Sequence, residues 1–221
     1  MTRRFTFALS LFMLLNAAHG VRAAAQERFP VMRRPGPTAW ASLSVGLLQV
    51  STMYDPTSNS DWDFGSIVQF RGSLEREIQR GTSLGAVASF ARAPLTYVGP
   101  ECVAGCNADA GVWQALALFR IGGGGMFGLH QVIELEAGAT GFTNFRESSG
   151  VALSPRSVVD PTFNLGYGFG YSFSPSAQLT VVQQFGLMVH RKGDRPAGDQ
   201  SNVPRTSVTR IGVRLGLGGT Q

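Results

Sequence analysis

The chain has 221 residues, with 19 Lys and Arg against 14 Asp and Glu, a formal net charge of +5, and only 15% charged residues beside 28 glycines. Arg3, Arg4 and Arg22 fall within the first 25 residues, so the rest carries 16 basic and 14 acidic groups, a net charge of +2. No basic cluster is left that would bind nucleic acid, and this composition suits strands and turns rather than surface helices.

Arg3 and Arg4 precede the apolar run Phe5 to Leu15, and Ala23-Ala24-Ala25 follows as a small-residue cleavage site. Residues 1–25 therefore read as a secretory signal peptide. The run is too short for the ~20 residues that carry a helix across a bilayer. Residues 26–37 form a Pro- and Arg-containing lead, expected in the periplasm, and 38–221 are expected to form one all-β domain.

Eight segments with strand signals follow: Thr38 to Met53, Asp63 to Ile78, Thr82 to Ala93, Val112 to Ile121, Phe127 to Phe142, Val159 to Phe173, Gln178 to Arg191 and Thr206 to Leu217. In the second, Phe64, Val68, Phe70 and Leu74 oppose Gln69, Arg71, Ser73, Glu75 and Glu77. In the fourth, Leu116 and Leu118 share a face with Gln114 and Arg120, so its sides are less clear. In the fifth, Leu129, Ile133 and Leu135 oppose His130, Glu134 and Glu136. The sixth alternates most cleanly, Phe163, Leu165, Tyr167, Phe169, Tyr171 and Phe173 against Thr162, Asn164, Gly166, Gly168, Gly170 and Ser172. The eighth sets Ile211, Val213, Leu215 and Leu217 against Arg210, Gly212, Arg214 and Gly216.

Successive side chains of a strand point to opposite faces, so each segment has one apolar and one polar wall. The connections alternate long and short: Tyr54 to Trp62, Pro94 to Gly111, Thr143 to Val158 and Lys192 to Arg205 are long, whereas Gln79 to Gly81, Gly122 to Gly125 and Ser174 to Ala177 are tight. Transmembrane barrels have short periplasmic turns and longer outer loops, with apolar residues facing lipid. The expected fold is all-β, an eight-stranded antiparallel up-and-down transmembrane β-barrel. A soluble lipocalin-like barrel is the alternative; the glycine-lined wall of the sixth segment suits a narrow lumen better than a soluble exterior.

Three groups of side chains follow from that reading. Phe163, Leu165, Tyr167, Phe169, Tyr171 and Phe173 are expected to face lipid. Arg71, Glu75, Glu77, Arg120, His130, Glu134, Glu136, Arg210 and Arg214 are expected to form a polar network in the lumen, because buried charges must be paired. Cys102 and Cys106, the only cysteines, are expected to close a local disulfide in an exported protein, ahead of a metal site with Glu101 and Asp109. Trp40, Trp62, Trp113, Tyr54, Tyr97, Tyr167 and Tyr171 include several near strand ends, as in an aromatic girdle.

On these residues, from Thr38 to Gln221, the chain resembles the small eight-stranded outer-membrane β-barrel proteins of Gram-negative bacteria, the class with OmpX-like and OmpW-like proteins and the membrane domain of OmpA. The resemblance implies outer-membrane localisation, contact with outer-membrane lipid and lipopolysaccharide, and insertion by the barrel assembly machinery. A monomer is expected, without cofactor or nucleic acid. Such barrels usually end in an aromatic residue, whereas this chain ends Leu217-Gly218-Gly219-Thr220-Gln221. Either Leu215 or Leu217 takes that place or the branch is divergent.

The leading expectation for function is a structural or interaction role in the envelope, with a largely plugged lumen and long surface loops. A narrow channel or lateral route for small apolar molecules is one alternative. Lipid A modification is another, for which His130 and His190 stand beside Glu134, Glu136, Ser172 and Ser174, without the His-x-Ser-Asn run of the deacylases. His130, Glu134 and Glu136 span about 20 Å of strand, too far for one metal ion. Gly122 to Gly125 lacks the Lys-Ser/Thr of a phosphate loop. Arg191, Lys192 and Arg195 could meet lipopolysaccharide headgroups at a loop rim or simply be solvated.

Overall fold

The computed structural model describes residues 36–123, 127–154, 157–190 and 203–218. The expected signal peptide, nearly all of the lead and the basic residues Arg191, Lys192 and Arg195 lie outside them. Among the described residues ten strands form: β1 (Ala39–Val50), β2 (Met53–Asp55), β3 (Ser60–Phe64), β4 (Ile67–Gln79), β5 (Thr82–Gly99), β6 (Cys102–Ile121), β7 (Gly128–Glu147), β8 (Ser157–Ser174), β9 (Ala177–Met188) and β10 (Arg205–Leu217). Eight of them close a ring of antiparallel neighbours, β1-β4-β5-β6-β7-β8-β9-β10 and back to β1. Ala39 opposite Leu217 and Thr82 opposite Ile121 anchor two of those ladders at the tight-turn end. Closure leaves no unpaired strand edge around the ring.

At that end Arg80 and Gly81 join β4 to β5, and Pro175 and Ser176 join β8 to β9. Gly122 and Gly123 leave β6 at φ 113° and 81°, a region that side chains disfavour, which accounts for glycine there without any phosphate-loop role.

The other end differs from the sequence expectation in three ways. Pro94 to Gly111 is mostly strand, since β5 runs to Gly99 and β6 restarts at Cys102, leaving Pro100 and Glu101 as the turn. Tyr54 to Trp62 belongs to the β2–β3 hairpin, whose β3 pairs with β5 from Asp61 opposite Val98 to Phe64 opposite Leu95. Much of Thr143 to Val158 is also strand, with β7 reaching Glu147 and β8 starting at Ser157. A bilayer needs only ~9–11 residues per strand, whereas β5, β6 and β7 have 18, 20 and 20. Their outer halves form a ribbon standing beyond the belt of exposed apolar side chains. Cys102 and Cys106 are joined by a disulfide at its tip, around Gly105 at φ 84°.

Gly65 and Ser66 separate β3 from β4 and reset the alternation. Phe64 consequently points inward, not outward with Val68, Phe70 and Leu74. Leu116 and Leu118 likewise face the interior, where they pack with Val87.

Candidate functional site

The polar interior is assembled from all eight barrel strands. Glu134 on β7 is wholly buried and forms ion pairs with three arginines: Arg120 of β6 at 2.6 Å, Arg71 of β4 at 3.6 Å and Arg210 of β10 in closest contact. Two residues on, Glu136 pairs with Arg71 and accepts hydrogen bonds from the amides of Asn164 on β8, at 3.0 Å, and Gln184 on β9. Nearer the tight turns, Glu75 of β4 meets Arg214 of β10 at 2.9 Å and Arg120 at 3.5 Å, and accepts from Ser83 of β5 at 2.6 Å. The Arg214 guanidinium lies 4.1 Å from the centre of the Trp40 ring on β1. Four buried guanidiniums thus face three buried carboxylates across the bore, and pairing offsets the cost of taking each from water.

Two of the nine residues read as one network sit at its edge. Glu77 accepts from the Trp40 indole at 3.0 Å and from the backbone N–H of Gly81 at 3.2 Å, bracing the turn. Among the described residues His130 forms no ion pair; its Nδ1 is 3.4 Å from the Gly128 carbonyl. A Cβ at Gly170 would come within 2.2 Å of its Nε2. The bare wall of β8 therefore gives His130 its space, and Gly166, whose Cβ would lie 3.3 Å from that of Glu134, does the same for the ionic layer.

Above the ions lies a neutral ladder. Gln69 donates to Ser89 and to Gln114, Gln114 donates to Thr140, and Thr162 bonds Thr140 at 2.7 Å, linking β4 through β8. Beyond it the interior turns apolar. Leu48, Ile67, Val112, Phe142, Met188 and Val208 converge there with Trp62 and Met53 of the hairpin. Trp40, Trp62 and Tyr97 belong inside, at most 1% exposed, and not to a surface girdle. Hydrophobic periodicity marks only which residues share a face, so it could not place these rings on the inner one.

Within this apolar plug is a polar clamp that the sequence did not reveal. His190, just after β9, bonds Asp160 of β8 through Nδ1 at 2.7 Å, while its Nε2 stands 3.7 Å from Asp55 of β2. Asp55 also accepts the backbone N–H groups of Thr57 and Ser58, each at 3.1 Å. The Trp62 ring packs 5.8 Å from that of His190.

These placements separate the residues considered for hydrolysis. Glu134 and Glu136 are committed to arginines, Ser172 faces inward on β8, and Ser174 is at the exposed turn. Among the described residues no serine hydroxyl bonds either histidine. Cys102, Cys106 and Glu147 bring possible metal donors within 4.8 Å, but both sulfurs are used in the disulfide.

Near the outer end of β5, Tyr97 donates to Glu101 at 2.9 Å. Burial and that bond to a carboxylate push its phenol up to about 12. Unfolding would return it to about 10, so between the two values the unfolded chain loses the proton first and stability falls as pH rises. In absorbance titration one of the four tyrosines should ionise near pH 12, and Tyr97→Phe should remove that step; absence of the step from the parent protein would contradict the contact.

The outer wall carries the opposite chemistry to the bore. Leu43, Phe70, Leu74, Leu129, Phe163 and Phe185 stand on it more than half exposed, from strands all round the ring. An exterior of exposed apolar side chains around a charged, hydrogen-bonded interior inverts the soluble arrangement and matches strands that face lipid. The chain is an eight-stranded β-barrel of the transmembrane kind.

No protein-family model matches this barrel, and no curated protein is similar to it in sequence. Among solved structures it is similar to Neisserial surface protein A, with 11% identity and a TM-score of 0.48 over 81% of this chain and 97% of that one. It is also similar to OprG from Pseudomonas aeruginosa, at 13% identity and TM-score 0.45 over 83% and 95% of the two chains. A third is Ail, the attachment invasion locus protein of Yersinia pestis, in complex with the heparin analogue sucrose octasulfate, at 15% identity and TM-score 0.41 over 80% and 99%.

Proposed function

We propose that this protein is a resident of the bacterial outer membrane whose barrel is a sealed anchor, presenting the β5–β7 ribbon and the β2–β3 hairpin to the outside for a structural or interaction role. The observation that carries this reading is the doubly filled bore: an ionic layer tied to every strand of the ring, capped by an apolar plug that holds Trp62, Phe142 and Met188. Eight strands leave an interior just wide enough for side chains, and here paired charges and packed rings occupy it. Phe163, Leu165, Tyr167, Phe169, Tyr171 and Phe173 are the lipid-facing wall of β8, with outer-membrane lipid and lipopolysaccharide as their surroundings. The 1–25 segment acts as the export signal, the barrel assembly machinery inserts the chain, and the product is a monomer. The Cys102–Cys106 disulfide supports an oxidising, exported compartment.

The test joins two measurements on protein expressed with its leader. Recovery in the outer-membrane fraction, with mobility that changes on boiling, is expected, and the purified barrel should add no conductance above background to a planar bilayer. Recovery in soluble periplasm would refute the membrane assignment, and steady single-channel steps would replace the sealed anchor with a channel.

A further inference from the structure

Where the apolar belt gives way to the projecting ribbon, β5, β6 and β7 enclose a hollow of about 240 Å³ on the outer wall, lined by Phe90, Arg92, Asp109, Gly111, Asn144 and Arg146. A bulge opens it. The β6–β7 register shifts between Asp109 and Gly111, and Asn144 takes φ 53°, one of two non-glycine residues described at positive φ. Bulges bend a strand and re-aim its side chains, and a non-glycine residue in this conformation costs free energy that the surroundings must offset.

The chemistry of the lining is specific. Arg92 holds Asp109 at 3.2 Å, yet its side chain is 73% exposed, so most of its donors face outward. Arg146 is opposite Asp109 on β7, adding a second guanidinium to the one carboxylate. Asn144 contributes an amide beside them. Below this group the wall is apolar: Phe90 is 57% exposed, and the paired Ala88 and Ala115 leave a shallow strip beneath it.

We infer that this hollow binds the phosphorylated sugar headgroup of a membrane amphiphile. Arg92 and Arg146 take the phosphate, for which the guanidinium fork is well shaped, and Asp109 both steadies Arg92 and accepts a sugar hydroxyl. Acyl chains run down over Phe90 and the alanine strip. The net positive charge favours an anionic group, and the boundary between apolar wall and charge matches an amphiphile in position as well as sign. The inference rests on the membrane reading above, because only insertion places this boundary at headgroup level.

The experiment uses the full barrel refolded in neutral-detergent micelles, with heat-modifiable mobility verified in the same sample. Three probes are titrated, bis-phosphorylated lipid A, the same lipid after phosphatase treatment, and inorganic phosphate, with intrinsic tryptophan fluorescence as readout. Trp113 lies two residues from Gly111 on the outward face of β6, whereas Trp40 and Trp62 are buried inside. Lipid A should bind at least about tenfold more tightly than its dephosphorylated form, and Arg92→Gln and Arg146→Gln should each weaken it by about tenfold, as loss of a charge-assisted contact implies. Arg146→Gln leaves the Arg92–Asp109 pair intact, so it probes the site without disturbing it. Arg76→Gln, on the outward face of β4 at the opposite rim, should change nothing.

Inorganic phosphate binding as tightly as lipid A would reduce the hollow to a free-anion site and overturn the lipid assignment. Equal loss in Arg76→Gln would overturn it too, as a general charge effect. An intact heat-modifiable barrel whose arginine variants bind unchanged overturns this inference alone, whereas absence of heat-modifiable mobility overturns the membrane reading together with it.

Discussion

Replacing Glu134 with glutamine should destabilise the barrel by about 3–5 kcal/mol, the usual cost of leaving buried charge uncompensated. Among the described residues Glu134 is the one carboxylate in ion pairs with Arg71, Arg120 and Arg210 together, and it is fully buried. Glutamine keeps the shape and an acceptor oxygen, so the loss reports charge compensation rather than packing. It would be read as a lowered urea midpoint for the barrel in micelles. The cycle is completed with Arg210→Met: if the negative charge is needed because three cations converge, the double variant Glu134→Gln/Arg210→Met should recover much of the loss. A loss below about 1 kcal/mol, the scale of an ordinary hydrogen bond, would mean that the ionic layer does not hold the strands together.

The second large effect is expected at the other end of the bore. His190→Ala removes the bond to Asp160 and leaves that buried carboxylate short of a donor, while Asp55 loses its facing imidazole but keeps the N–H groups of Thr57 and Ser58. A buried carboxylate that loses its donor costs roughly 1–3 kcal/mol. Asp55 belongs to the β2–β3 hairpin, which joins the ring along one side through the β3–β5 ladder, so the loss should appear first as hairpin opening. Limited chymotrypsin digestion should cut at Tyr54 or Trp62 in the variant under conditions that spare the parent. Asp160→Asn, which keeps an acceptor for the imidazole, should fall between the two. Equal resistance of all three proteins would show that ring packing around Trp62, not the clamp, closes the mouth.

How far these sites were legible depends on the range of the interactions. The alternation of Phe163 to Phe173 is local, and the inward glycines opposite it pointed to a narrow, filled bore. The charged residues of β4, β7 and β10 could be assigned to one face in the same way. Their partners could not: Glu75 and Arg214 are 139 residues apart, and alternation carries no information on which strands become neighbours. Phe64 was assigned to the wrong face because Gly65 and Ser66 break the period of two, and counting residues through a break inverts everything before it. Pro94 to Gly111 read as a loop because its Pro, Gly and polar residues are turn-formers, yet a long antiparallel partner supplies ladder hydrogen bonds that override that preference.

Arg92, Asp109 and Arg146 illustrate the same division at the surface. Each is one polar residue in a mixed stretch, and only the β6–β7 bulge and the neighbouring registers bring them around one hollow. His190 meets Asp160 at the end of the β8–β9 ladder, and Asp55 joins them only because the hairpin folds over the mouth. The sequence by itself determined that this is a strand protein with one apolar and one charged wall, since side-chain direction along a strand is set by backbone geometry alone. The tertiary structure alone decided that the bore is ionic at one end and aromatic at the other, because closing the ring fixes which side chains meet, at what height, and against which charges.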